Sequence, residues 1–106
     1  MTASPTSGAQ IAAARALVGA SREKLARRCQ LTPEAIARLE ASGPDPIAPC
    51  DELTAARTEL EALGAIFIDE QGADGAGVRL RFSRAQTRAV GAWEDEGGVP
   101  ADDDIP

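Results

Sequence analysis

Residues 21–42 read SREKLARRCQLTPEAIARLEAS, and this stretch decides the fold. Ser21 suits an N-cap, because its hydroxyl can accept from an otherwise orphaned backbone N–H. Glu23 then falls in the first turn, where the helix dipole favours a negative charge. Leu25, Ala26 and Cys29 form one apolar stripe at helical spacing. Gln30 and Leu31 read as a turn, with Leu31 plugging the corner. Thr32 is the next N-cap, and Pro33 takes the first helical position, where its missing N–H is harmless. Ile36 and Leu39 point inward, leaving Pro33, Glu34, Ala37 and Arg38 on the opposite face. Two short helices joined by a tight turn occur in many all-α domains. The same arrangement also places a helix in the major groove of DNA.

The flanks extend the pattern. Residues 1–7 are small and polar, and disorder is expected there. Ser7 with Gln10 forms a capping box, Ile11, Ala14, Leu17 and Val18 give a buried stripe, and Gly19 stops the helix. SGPDPIAPC (residues 42–50) is a connector that no helix could cross. A fourth helix follows from Asp51 to Leu63, with Leu53, Ala56, Leu60 and Leu63 inward and Gly64 as its stop. Two strands, Ala65 to Asp69 and Val78 to Phe82, flank the glycine-rich loop EQGADGAG. The spacing therefore predicts a mainly α chain. Residues 8–64 are expected to form a four-helix, helix-turn-helix domain of the kind that binds DNA, and residues 65–82 an appended β-hairpin. Ser83 with Gln86 could open a short helix over 83–93 carrying Trp93, and 94–106 reads as a disordered acidic tail.

Several blocks resemble a known family. GAQIAAARALVGAS (8–21) resembles the first helix of the Cro and phage-repressor class of helix-turn-helix regulators, the XRE family. REKLARRCQLTPEAIARLEAS (22–42) resembles its motif. LEALGAIFIDE (60–70) followed by GVRLRF (77–82) resembles a subgroup with an added helix and hairpin. The resemblance covers residues 8–82. It implies an ion pair between Arg15 of the first helix and Glu40 at the end of the third. There are departures. Gln30 stands where relatives carry a turn glycine, at a site that takes φ > 0. Pro33 and Glu34 open the third helix, where many relatives carry Arg, Gln or Ser.

The functional expectation is a sequence-specific, DNA-binding transcriptional regulator acting as a homodimer, with repression favoured over activation. Arg38 is the leading base contact, with guanine O6/N7 as its target. Glu34 could accept from cytosine N4, Ala37 could touch a thymine methyl, and Pro33 shapes the rest. Arg22 and Thr32 are the expected phosphate contacts. A lone hairpin is marginal in water, so Ile66, Ile68, Val78, Leu80 and Phe82 are assigned to a twofold interface. The alternative is that the hairpin packs on the fourth helix of its own chain. The competing function is a protein-interaction module, an antitoxin or adaptor, using the same fold.

Charge bears on both readings. The net charge is −6, from 17 acidic and 11 basic residues. Glu94, Asp95, Glu96, Asp102, Asp103 and Asp104 supply six of those acids, and removing them leaves 11 against 11. Residues 1–42 carry six bases against three acids. The acidic balance therefore sits in the tail, which could compete with DNA for the basic face or meet a protein partner.

No enzyme site is evident. There is no His, and the glycines at 72, 75 and 77 precede no helix, as a phosphate loop would require. The carboxylates at 102–104 make a poor rigid cage for Mg²⁺. Neither metal nor cofactor is expected. Cys29 reads as a small core residue and Cys50 as a loop thiol, with no disulfide. There is no apolar run of membrane-spanning length and no signal-peptide pattern at the start. The expected location is the cytoplasm.

Overall fold

The computed structural model describes residues 5–83 and Gln86. Among them, four helices, α1 (Gly8–Val18), α2 (Arg22–Cys29), α3 (Pro33–Glu40) and α4 (Asp51–Ala62), precede two strands, β1 (Ala65–Ile68) and β2 (Gly77–Leu80). The strands pair antiparallel, so the chain is mainly helical with one small hairpin.

Local chemistry sets the helix ends. The Ser7 hydroxyl accepts from the Gln10 amide while the Gln10 side chain accepts from the Ser7 amide, a reciprocal box that satisfies two orphan donors of α1. Gly19 closes the helix at φ 76°. Ser21 and Thr32 cap α2 and α3 through their hydroxyls. Gln30 carries the left-handed turn between them at φ 60°, with no glycine to relieve it. α4 starts at Cys50 with no side-chain cap, and Asp51 and Glu52 in its first turn favour the dipole instead.

The core collects the predicted stripes. Ile11, Ala14, Leu25, Ile36, Ala56 and Leu60 are fully buried, joined by Leu39, Leu53, Leu63, Ala65 and Phe67. Each large aliphatic side chain there contributes about 1.5–3 kcal/mol by leaving water. Cys29 and Leu31 lie partly buried against this core. Arg28 of α2 donates to Glu59 of α4 at 3.0 Å, and Arg57 stacks 4.6 Å above the centre of the Phe67 ring.

Two expectations need correction. Within residues 1–7, where disorder is expected from sequence, Thr6 and Ser7 are fixed to the body of the chain, and 1–4 lie outside the described residues. Thr6 and Ser7 are buried, the Ile47 amide donates to the Thr6 carbonyl at 2.8 Å, and Arg57 donates to the Thr6 hydroxyl at 2.6 Å. Thr6 and Ser7 are stapled to the proline-rich connector by backbone pairing that composition does not reveal. The hairpin also divides its apolar residues between two faces. Ala65 pairs with Leu80 and Phe67 with Val78. Ala65 and Phe67 belong to the core, and Val78 and Leu80 pack against it. Val78 and Leu80 are thus used within the chain, not presented outward as assigned. Phe82 lies beyond the end of β2 and is half-buried. Ile66 and Ile68 remain on the outer face. Gln10 fixes the hairpin to α1, donating to the carbonyls of Ile68 at 3.2 Å and Gly77 at 3.1 Å.

The strands are shorter than expected at their far ends. Ser83 and Gln86 make the expected reciprocal hydrogen bonds. The rest of the helix expected over 83–93, and the tail over 94–106, lie outside the described residues. Among the described residues, no helix is long and apolar enough to cross a membrane.

Candidate nucleic-acid interface

α3 is the element whose free face carries the candidate residues. Ala35, Ile36 and Leu39 are buried, while Glu34 and Arg38 are exposed and Pro33 and Ala37 half-exposed. The four expected base-contacting residues therefore share the side of α3 that the core does not use. Thr32 stands exposed at the head of the helix, its hydroxyl accepting from the Ala35 amide at 3.1 Å.

The far end of α3 is held by an ion cluster. Arg15 Nε donates to Glu40 Oε2 at 2.7 Å and Arg15 Nη2 to Glu40 Oε1 at 3.2 Å. Arg22 adds two more bonds to Glu40 Oε1, from Nε at 3.0 Å and Nη2 at 2.9 Å. Arg15 also donates to the Ala20 carbonyl at 3.2 Å. One carboxylate thus joins α1, the start of α2 and the end of α3. Burial pushes the Glu40 carboxyl up, but the hydrogen bonds and charges of both arginines outweigh it and hold it below its ordinary value.

This cluster changes the reading of Arg22. The residue stands at the start of α2 as expected, but its guanidinium is engaged by Glu40, with the side chain 47% exposed. Sequence reasoning paired Glu40 with Arg15 alone. The only local hint of the third member is that Arg22 follows directly on the N-cap that begins α2.

Arg38 has a neighbour that the sequence did not suggest. Its Nη2 lies 3.8 Å from Glu52 Oε2 in the first turn of α4, and the Arg38 side chain is 67% exposed. The pair is long and wet, worth little by itself. It nevertheless places a carboxylate beside Arg38, the leading candidate for a base contact. No periodicity relates the two residues, because the connector sets their approach.

Other groups stay apart from this face. Cys29 donates to the Ala55 carbonyl at 3.5 Å, and burial, then the charge of Glu59, pushes its thiol up to about 11 despite Arg28. Cys50 is exposed, and both are free thiols. A groove of about 400 Å³ bordered by Thr6, Ile47, Leu53 and Arg57 contains no residue of α3. Among the described residues, no cluster of three or more His, Cys, Asp or Glu is placed to hold a metal ion.

Compared with known proteins, the chain matches no family model, no curated protein and no solved structure.

Proposed function

We propose that the chain is a sequence-specific DNA-binding transcriptional regulator that acts as a homodimer, reads the major groove with α3, and represses by occluding polymerase. The observation that carries this reading is the division of α3. Its apolar side is fully committed to the core, its polar side is left outward, and its C-terminal end is pinned by Arg15 and Arg22 on Glu40. A reading helix needs that combination of a free edge and a fixed seat. The resemblance of residues 8–82 to the XRE family supports the same conclusion. Arg38 is the base-reading side chain, Glu34, Pro33 and Ala37 complete the edge, and Thr32 and Arg22 lie nearest the phosphates.

The Glu52 carboxylate gives the reading a sharp test. Arg38→Ala should lower operator affinity by about 1–3 kcal/mol and relax preference at one base pair. Glu52→Gln removes a competing acceptor and should leave affinity equal or higher. Gel shifts with genomic fragments, followed by competition with single-base variants, measure both. If neither substitution changes retention, α3 does not read DNA through Arg38.

One observation favours a second reading. Glu34 is exposed on α3 and Arg38 faces Glu52, so the outer face is close to neutral. Such a face also suits a protein partner. Stable co-purification with another protein, and no gel shift, would select the interaction module.

A further inference from the structure

The outer face of the hairpin has a charge pattern that matches itself when reversed. β1 and β2 form a two-stranded sheet whose inner side belongs to the core. The outer side carries Ile66 and Ile68, and Ile68 is 39% exposed. Arg79 lies directly across from Ile66, and Arg81, whose amide donates to the Gly64 carbonyl at 2.7 Å, lies beyond it toward the open end. Both arginines are exposed. At the other end the tip is closed by paired backbone bonds between Gln71 and Asp74, each 2.9 Å, and it exposes Glu70 and Asp74. One end of the hairpin is therefore basic, the middle apolar and the tip acidic.

We propose that this face packs against the same face of a second copy, about a twofold axis perpendicular to the strands at the level of Phe67. The inference supplies the contact that the proposed homodimer needs and rests on that part of the reading alone. An isologous contact requires a self-complementary patch. Reversing the hairpin provides one. Ile66 meets Ile68 of the partner subunit on either side of the axis. Arg81, three residues from the axis on the basic side, comes level with Glu70 of the partner subunit, three residues away on the acidic side. At about 3.3 Å per residue, each charge pair sits roughly 10 Å from the axis. A parallel arrangement would instead set arginine over arginine and acid over acid, which is repulsive. The aliphatic stem of Arg79 flanks the apolar centre. Gln10 already holds both strands on α1, so little ordering remains to oppose association.

Sedimentation equilibrium of the full chain, over a range of concentrations and without DNA, tests the contact. The wild type should show a concentration-dependent monomer–dimer equilibrium. Ile68→Lys should weaken dimerisation by about tenfold or more, with an unchanged circular dichroism spectrum. Glu70→Arg and Arg81→Glu should each weaken it, and the double variant should restore it. A monomer at every concentration, or a dimer indifferent to Ile68→Lys, overturns the interface. Single charge reversals that weaken the dimer without mutual rescue overturn the antiparallel register. DNA binding by a monomer would sink this inference and leave the DNA reading standing, whereas a dimer that binds no DNA would do the opposite.

Discussion

Single residues carry much of the geometry, and Gly8 shows how. It opens α1 where the chain passes against the end of α3. A Cβ there would stand 2.6 Å from the Glu40 carbonyl oxygen and 2.6 Å from the Ser42 hydroxyl oxygen, and would collide with the Leu39 carbonyl. Two of those atoms are backbone and cannot rotate away. The Gly8 amide also donates to the Ser42 hydroxyl at 2.8 Å, and the Ala9 amide to the Gly43 carbonyl at 2.8 Å. Gly8→Ala must therefore part α1 from the α3 terminus and stretch both bonds. Thermal or urea unfolding should register a loss of about 2–4 kcal/mol, well above a helix-interior Gly→Ala change, which normally stabilises. Equal or greater stability would show that the two helices do not approach this closely. Gln30 is a milder case. Its φ of 60° is tolerated because the turn also lets its amide and that of Leu31 bond back to the Arg27 and Ala26 carbonyls.

At the level of elements, α3 is seated by its apolar stripe and by Glu40. The folded carboxyl is held below its ordinary value, so the folded state binds its proton less readily than the unfolded chain does. That stabilisation is complete above the ordinary carboxylate range and is lost as pH falls through 4.5 toward the folded value. Glu40→Gln should cost about 1–3 kcal/mol at neutral pH, a buried ion cluster discounted for the exposure of Arg22. The difference between wild type and variant should shrink as the pH falls below 4.5 toward the lowered folded value, where the wild-type carboxyl also takes up its proton. A gap of constant size across that range would mean that the charge on Glu40 is not what holds α3. The elements themselves were largely legible from sequence, because their signals are local. Ser7 with Gln10, Gly19, Ser21, and Thr32 followed by Pro33 each act within four residues. What was not legible depends on contacts made across the chain. Thr6 against Ile47, Arg38 near Glu52, and the inward turn of Val78 and Leu80 are fixed by how the connector and α1 pack. For the candidate site, the outward face of α3 could be read from periodicity. The engagement of Arg22 by Glu40 and the carboxylate beside Arg38 could not.

For the whole molecule, the balance of charge decides how any anionic partner is met. The net charge of −6 equals the charge of the six acids in residues 94–106, whereas residues 1–42, which include α3, carry a surplus of bases. Around α3 that surplus is blunted, since Glu40 takes up Arg15 of α1 and Arg22 of α2, and Glu52 lies near Arg38. Acids elsewhere on the same chain would act at high effective concentration on whatever positive field remains. Replacing Glu94, Asp95, Glu96, Asp102, Asp103 and Asp104 by Gln or Asn brings the formal charge from −6 to zero without shortening the chain. If those acids compete with DNA, non-specific affinity for a random duplex should rise several-fold at about 0.05 M salt. It should converge with the wild type near 0.3 M, where screening acts within roughly 6 Å. The slope of log affinity against log salt should steepen as well, because more phosphate contacts are made once internal acids no longer occupy the bases. Unfolding midpoints measured alongside would separate this from a change in stability. Matching affinity and slope for both proteins across the whole salt range would mean that the acidic segment does not reach the basic face. Its charge would then serve something else, such as solubility or a protein contact.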